Sequence, residues 1–414
     1  MTLRQQFELP KRYNTLSLIL MAIGILSVII LFITHGASSD QRVSARFWAS
    51  MLQNSVYFLL VVNASMFFIC ATTLAWGGWQ MTFRRVPEAI SACVLPIGII
   101  STIILLFLCF GPNHVIYHWA DSHHVAEDPA LQHKEGFLNK PFFAIWTVIT
   151  VIGWWLLGKK LRSLSRQTDN EPLNPEQAKR YIWDNTVWAA VYAVLFALTV
   201  LSSIPWLWLM SIDAHWYSTM YSWYVFASSW VAGIALITVF VIYLKNNNYL
   251  ELTSKEHLHD LGKFMFAFSI FWTYLWFSQF MLIWYANIPE ETVYFKPRVQ
   301  GPYRTIFFLN LIINFLAPLL ILMKRASKRN YGTITMMAIL IIFGHWLDFY
   351  QMVMPSVMMD PDTKQTQVPN MLPDLGIALG FVGLIMFVSA RTLAKYPLVA
   401  KNHPFLKESI VHHT

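Results

Sequence analysis

Cysteine is nearly missing from this chain. The three present, Cys70, Cys93 and Cys109, make no disulfide framework and no Cys-x-x-Cys, Cys-x-x-Cys-His or iron–sulfur spacing. That excludes a disulfide-stapled secreted scaffold and, within this chain, covalently attached haem c or a cysteine-held cluster. All three fall in long apolar runs and are read as small core residues. Charge is scarce as well: Asp, Glu, Lys and Arg make up 13% of the 414 residues, about half the usual share in a soluble domain. There is no low-complexity tract and no repeat of the solenoid kind. What is abundant is apolar surface, 56% of residues with 16% aromatic, as expected of an all-α integral membrane protein.

Ten runs are long and apolar enough to cross a bilayer, at about 15–35, 48–76, 89–110, 141–158, 184–210, 219–244, 262–288, 302–323, 332–356 and 373–394. They use up nearly the whole chain, so residues 1–414 are read as a single polytopic membrane domain with no soluble catalytic domain. Of the 30 Lys and Arg, 21 fall on the side of the amino terminus and 7 on the other; this bias puts both termini in the cytoplasm. The net charge of +8 follows from these inner loops and from tracts such as Lys324-Arg325 and Lys328-Arg329. Attraction to anionic lipids accounts for it, and no nucleic-acid partner is expected. The first run, flanked by Arg4, Lys11 and Arg12, imitates a signal peptide, but about 20 apolar residues are too many for one, and it is read as a retained helix.

Against this background, two ionisable residues stand out inside the ninth run: His345 and Asp348, in Gly344-His-Trp-Leu-Asp-Phe-Tyr-Gln351. Three residues apart on a helix, they share a face. Ionisable groups at membrane depth are costly, so the pair is the first candidate for a proton relay. Tyr274, Ser278, Gln279 and Asn310 reach similar depth, as do Asn314, Asn54, Tyr57, Asn63, Ser222, Tyr224 and Ser228; together they suggest a polar cavity in the outer half. On the inner side, Glu88, Asp184, Tyr243 and Thr335 are candidates for a cytoplasmic proton path, with helix packing as the competing explanation.

Haem is not expected, because a bis-histidine site needs two imidazoles at one depth, and His345 is the only histidine deep in a run while His35 sits at an outer edge. The outer loop 112–140 carries His114, His118, His123, His124 and His133, with Asp121 at helical spacing from His118 and His124. It lacks a closed metal pattern, so no metal is expected and a partner-docking surface is preferred. The charged inner loop 159–183 is a second candidate for partner contact. Trp206, Trp208, Trp216, Trp223, Trp284 and Tyr285 are read as an interfacial aromatic belt.

The segment Trp276-Phe-Ser-Gln-Phe-Met-Leu-Ile-Trp-Tyr-Ala-Asn-Ile-Pro-Glu-Glu-Thr292 resembles the signature of the F subunits of Alternative Complex III, a bacterial quinol:cytochrome c oxidoreductase. Tyr117-His118-Trp119, Asp128-Pro129, Leu131, Lys134, Phe137-Leu138-Asn139 and Pro141-Phe142-Phe143 are similar to that subunit's loop between its third and fourth spans, and His345-Trp-Leu-Asp348 with Met354-Pro355 to its ninth. The resemblance implies an NrfD/PsrC-like fold of ten transmembrane helices containing two four-helix bundles, in the bacterial inner membrane. It implies partners: a paralogous C subunit, where the family's quinol site is usually placed, subunits carrying haem c and iron–sulfur clusters, and cytochrome c or a terminal oxidase as acceptor. Menaquinol or its quinone is the implied small molecule, and His345, Asp348, Tyr274, Ser278, Gln279 and Asn310 are the candidates to relay protons or to contact it if it binds here. The chain itself would then be no enzyme alone, but a respiratory-chain subunit without a redox centre that supplies a polar cavity for proton transfer. A stand-alone ion or solute transporter and a purely structural membrane anchor are the alternatives.

Overall fold

The computed structural model describes residues 6–169, 171–360, 363 and 365–413; Arg4 and Lys364, which enter the charge balance, lie outside them. The chain is helical, and among the described residues the only β pairing is an isolated bridge between Met359 and Thr366. Among the described residues ten helices are long and apolar enough to cross a membrane: α1 Lys11–Gly36, α2 Gln41–Leu74, α3 Arg85–Phe110, α4 Lys140–Thr168, α5 Pro175–Trp208, α6 Met220–Asn246, α7 Lys255–Ala286, α8 Arg304–Leu322, α9 Tyr331–Val357 and α10 Leu372–Lys395.

Several helices outrun the apolar stretches that reveal them. Apolarity reports hydrocarbon thickness, whereas a helix ends where its last backbone groups find a cap or water. At α2 the Asp40 side chain accepts from the Arg42 amide. At α5 the Asn174 side chain and Gln177 cap each other's amides just before and after Pro175, and Ser254 with His257 does the same at α7. Inside the spans two irregular turns come just ahead of a proline. A wide π turn, Thr199–Ser203, precedes Pro205 in α5, and another, Ile312–Leu316, precedes Pro318 in α8. A proline has no N–H for the carbonyl four residues back, so the helix locally rewinds.

The helices α2 and α6 are the most buried and sit at the centre. α2 packs on α3 and α5, α3 on α4, and α4 on α5; likewise α6 packs on α7 and α9, α7 on α8, and α8 on α9. α2 also lies against α6 and α9, so these two rings of four share the middle of the molecule. α1 and α10 pair along their length beside them. The pairing depends on small residues: a Cβ at Gly380 would fall 2.7 Å from the Gly24 Cα, closer than any side chain permits. Lipid tails offer no hydrophobic penalty to escape, so such close backbone approach gains stability through dispersion contacts. The opposite face of α1, with Leu26 and Ile33, remains exposed.

Candidate functional site

Three residues of separation place His345 and Asp348 on the same side of α9, and that side turns inward against α6, α7 and α8. Both are fully buried. One oxygen of Asp348, Oδ1, accepts from the Tyr224 hydroxyl of α6 and from Asn310 Nδ2 of α8 at 2.8 Å. The other, Oδ2, accepts from the Trp272 indole N–H of α7 at 2.8 Å. His345 Nδ1 lies 3.0 Å from Ser228 Oγ and 3.9 Å from Asp348 Oδ2, and Nε2 has no partner among the described residues. The Trp272 ring meets the imidazole edge-on at 5.5 Å. One carboxylate is thus tied by direct hydrogen bonds to three neighbouring helices, beside an imidazole with a nitrogen left over.

The π turn of α8 contributes directly. Pro318 cannot bond the Asn314 carbonyl, and the rewound backbone carries Asn314, whose Nδ2 donates to Asn310 Oδ1 at 2.5 Å. Asn314 comes so close to α9 that a Cβ at Gly344 would fall 2.1 Å from its Oδ1; glycine is required there. On the other side, α2 clamps α9: Tyr57 donates to the Ile342 carbonyl at 2.6 Å, and Trp346 donates to Asn54 Oδ1 at 2.9 Å.

Beside Asp348 lies a small cavity of about 20 Å³ lined by Tyr224, Trp276, Gln279, Arg298, Asn310 and Gln351, enough for about one water. Gln279 Nε2 and Gln351 Oε1 have no partner among the described residues. Arg298 closes its far side for a reason set by Pro355. A proline at 355 leaves the Gln351 carbonyl without its helical donor, and Arg298 Nε takes that carbonyl at 2.8 Å. The same guanidinium stands 3.8 Å from Asp213, which accepts from Ser356 Oγ at 2.6 Å. Asp213 and Ser356 border a much larger cleft of about 840 Å³, also lined by His114, His118, Asp121 and His124. Polar groups therefore continue from Asp348 to the end of the bundle that carries the outer loop.

Of the residues singled out from the sequence, Asn310 bonds Asp348 directly and Gln279 lines the cavity. Tyr274 does not join them: it is 62% exposed on the outer face of α7. Ser278 donates to the Leu275 carbonyl of its own helix. The four inner-side candidates are not connected by hydrogen bonds among the described residues. Glu88 is locked between Arg84 Nε at 3.0 Å and Arg85 NH1 at 2.8 Å, Thr335 bonds the Tyr331 carbonyl, Tyr243 packs on Tyr13, and Asp184 is half-buried. The azimuth around each helix sends these residues apart. Trp272, Asp213 and Arg298 were missed. The 272, 276, 279 spacing along α7 marks one helix face, but nothing local identifies Arg298 as the group that completes a proline-broken turn.

The outer loop folds into short helices whose starts explain two of its acids. Asp121 accepts from the His123 amide, and Asp128, ahead of Pro129, accepts from the Ala130 and Leu131 amides. Backbone donation to Asp121, and the His215 ring beside Asp128, hold both carboxyls below the usual carboxylate range. Burial, together with His124 and His215 nearby, lowers the His118 pKa. His124 Nδ1 lies 3.0 Å from Asp121 Oδ2, and among the described residues no three His, Cys, Asp or Glu converge to hold a metal. In the aromatic group, Trp223, Trp284 and Tyr285 are exposed, while Trp208 and Trp216 are buried in the core.

Fold and site together define an all-helical chain of the multi-pass membrane type with an ionisable centre buried between four helices. Comparison with models of known families and with curated proteins finds no match to this chain.

Proposed function

We propose that the chain is a membrane subunit of a bacterial quinol:cytochrome c oxidoreductase of the Alternative Complex III type, without a redox centre of its own, in which His345 and Asp348 pass protons toward the outer side. The observation that carries the reading is the Asp348 carboxylate, bonded to Tyr224, Asn310 and Trp272 beside an imidazole with a free ring nitrogen and a cavity of about 20 Å³. An ionisable pair so deep in an apolar bundle is costly and calls for a use. The cavity takes about one water, far short of the roughly 300 Å³ at which ligand pockets begin. The site therefore suits proton passage rather than a quinol headgroup, and quinol oxidation falls to a partner. Gln351, Arg298 and Asp213 lead on to the large outer cleft, the exit in this reading.

The two rings of four helices and the flanking α1–α10 pair support the NrfD/PsrC-like arrangement. The Lys and Arg bias supports cytoplasmic termini in the inner membrane. The outer loop and its cleft are then the contact for subunits bearing haem c. Purification from native membranes tests the assignment: recovery with haem- and iron–sulfur-containing partners and quinol:cytochrome c activity is expected. Recovery as a lone protein that carries an ion or solute flux would replace it with the transporter reading.

A further inference from the structure

At the end of the bundle that carries both termini, a third cavity, of about 400 Å³, opens between the start of α3 and the ends of α4 and α10. Its wall is basic, with Arg85, Arg162, Arg166, Arg391 and Lys395. The acids nearby are already matched: Glu88 lies between Arg84 and Arg85, and Asp169 pairs with Arg85. The other four cations form no ion pair among the described residues. They are positioned by other means. Arg162 donates to Ser91 Oγ at 2.9 Å; Arg166 donates to the Tyr396 hydroxyl at 2.6 Å and stacks on its ring at 4.2 Å; Arg391 stacks on Phe387 at 3.7 Å. Cations converging on one concavity repel each other, and an anion seated among them removes that cost.

The rest of the wall is apolar and leads sideways out of the bundle. Ala89, Ala92, Val388 and Leu393 line the cavity. The Ala92 face of α3 continues at helical spacing through Leu95, Ile99 and Ile103, all exposed. A free phosphate ion would use the cations and leave this apolar track idle. A phospholipid uses both, with its phosphate at the helix ends and its chains along α3. Zwitterionic headgroups bring their own cation into an already cationic site. The geometry points to a binding site for an anionic phospholipid, with Arg162, Arg166, Arg391 and Lys395 holding the phosphodiester.

The test uses the full chain, with any subunits that copurify, stripped of lipid in detergent and followed by thermal unfolding. Titration with phosphatidylglycerol should raise the unfolding temperature saturably, while phosphatidylcholine or inorganic phosphate at matched concentration should not. Charge near a lipid surface contributes enough per residue that Arg162→Gln with Arg391→Gln should weaken the phosphatidylglycerol response about 30-fold. The pair Arg162→Lys with Arg391→Lys should retain most of it. If the double glutamine variant does not fold, Arg391→Gln alone, at an exposed position, should weaken the response about fivefold. Equal stabilisation by phosphatidylcholine, or an unchanged response in the glutamine variants, overturns the site. Saturation by phosphate alone that those variants lose would make the ligand a soluble anion and overturn the lipid.

Discussion

Replacing Asp348 by asparagine separates a proton relay from a structural tie. The carboxylate accepts from Tyr224, Asn310 and Trp272. An amide oxygen placed at Oδ1 keeps the first two bonds, while the amide nitrogen at Oδ2 faces the Trp272 N–H, a donor opposed to a donor. Leaving one buried donor unmatched costs about 1–3 kcal/mol. Ten packed helices tolerate that, so the variant should assemble with a modest loss of thermal stability. A positioned acid–base group, by contrast, contributes roughly 100-fold or more to the step it serves. In membranes, quinol:cytochrome c turnover and proton release, normalised to assembled complex, should therefore fall by at least about tenfold. His345→Gln should fall similarly. An assembled Asp348→Asn, His345→Gln double variant with unchanged turnover and unchanged proton release would refute the relay and leave the pair a structural one.

Further outcomes follow from other parts of the molecule. Arg46 of α2 and Asp374 of α10 form a buried two-pronged ion pair; Asp374→Ala strands the guanidinium and should cost about 3–5 kcal/mol, seen as early thermal unfolding in detergent, and wild-type unfolding would count against the pair's role. Gly380→Leu drives a side chain into the Gly24 backbone and should loosen α1 from α10, costing about 1–3 kcal/mol; a cysteine crosslink between these helices that still forms at the wild-type rate would contradict this. His118 has a pKa below its ordinary 6.5 in the folded loop, so the unfolded chain takes up the proton first. Its contribution to stability is present above about pH 6.5 and lost on acidification through the folded value. The drop in unfolding temperature from pH 7.5 to 5.5 should shrink in His118→Asn, and an identical drop in both proteins would exclude His118 as its source.

The ten helices, their order and the pairing of His345 with Asp348 on one face were legible in the sequence, because hydrocarbon thickness and the 3.6-residue repeat act locally. Helix ends were not read from the apolar runs: Asp40, Asn174 and Ser254 cap starts that lie several residues before those runs begin. The site's membership was legible only in part: Tyr224, Ser228, Gln279 and Asn310 were singled out and do meet at the pair or its cavity, while Tyr274 and Trp272 show what was not. Depth along a helix can be counted from the sequence, but the rotation of each helix about its axis is set by the packing of all its neighbours. That rotation puts Asn310 and Trp272 on Asp348, turns Tyr274 outward, and scatters Glu88, Asp184, Tyr243 and Thr335. The same holds for Arg298, which meets α9 because Pro355 leaves a carbonyl for it to take, and for the cationic cavity drawn from α3, α4 and α10, three widely separated parts of the chain. Local periodicity determined the elements; contacts distant in sequence decided which polar groups meet.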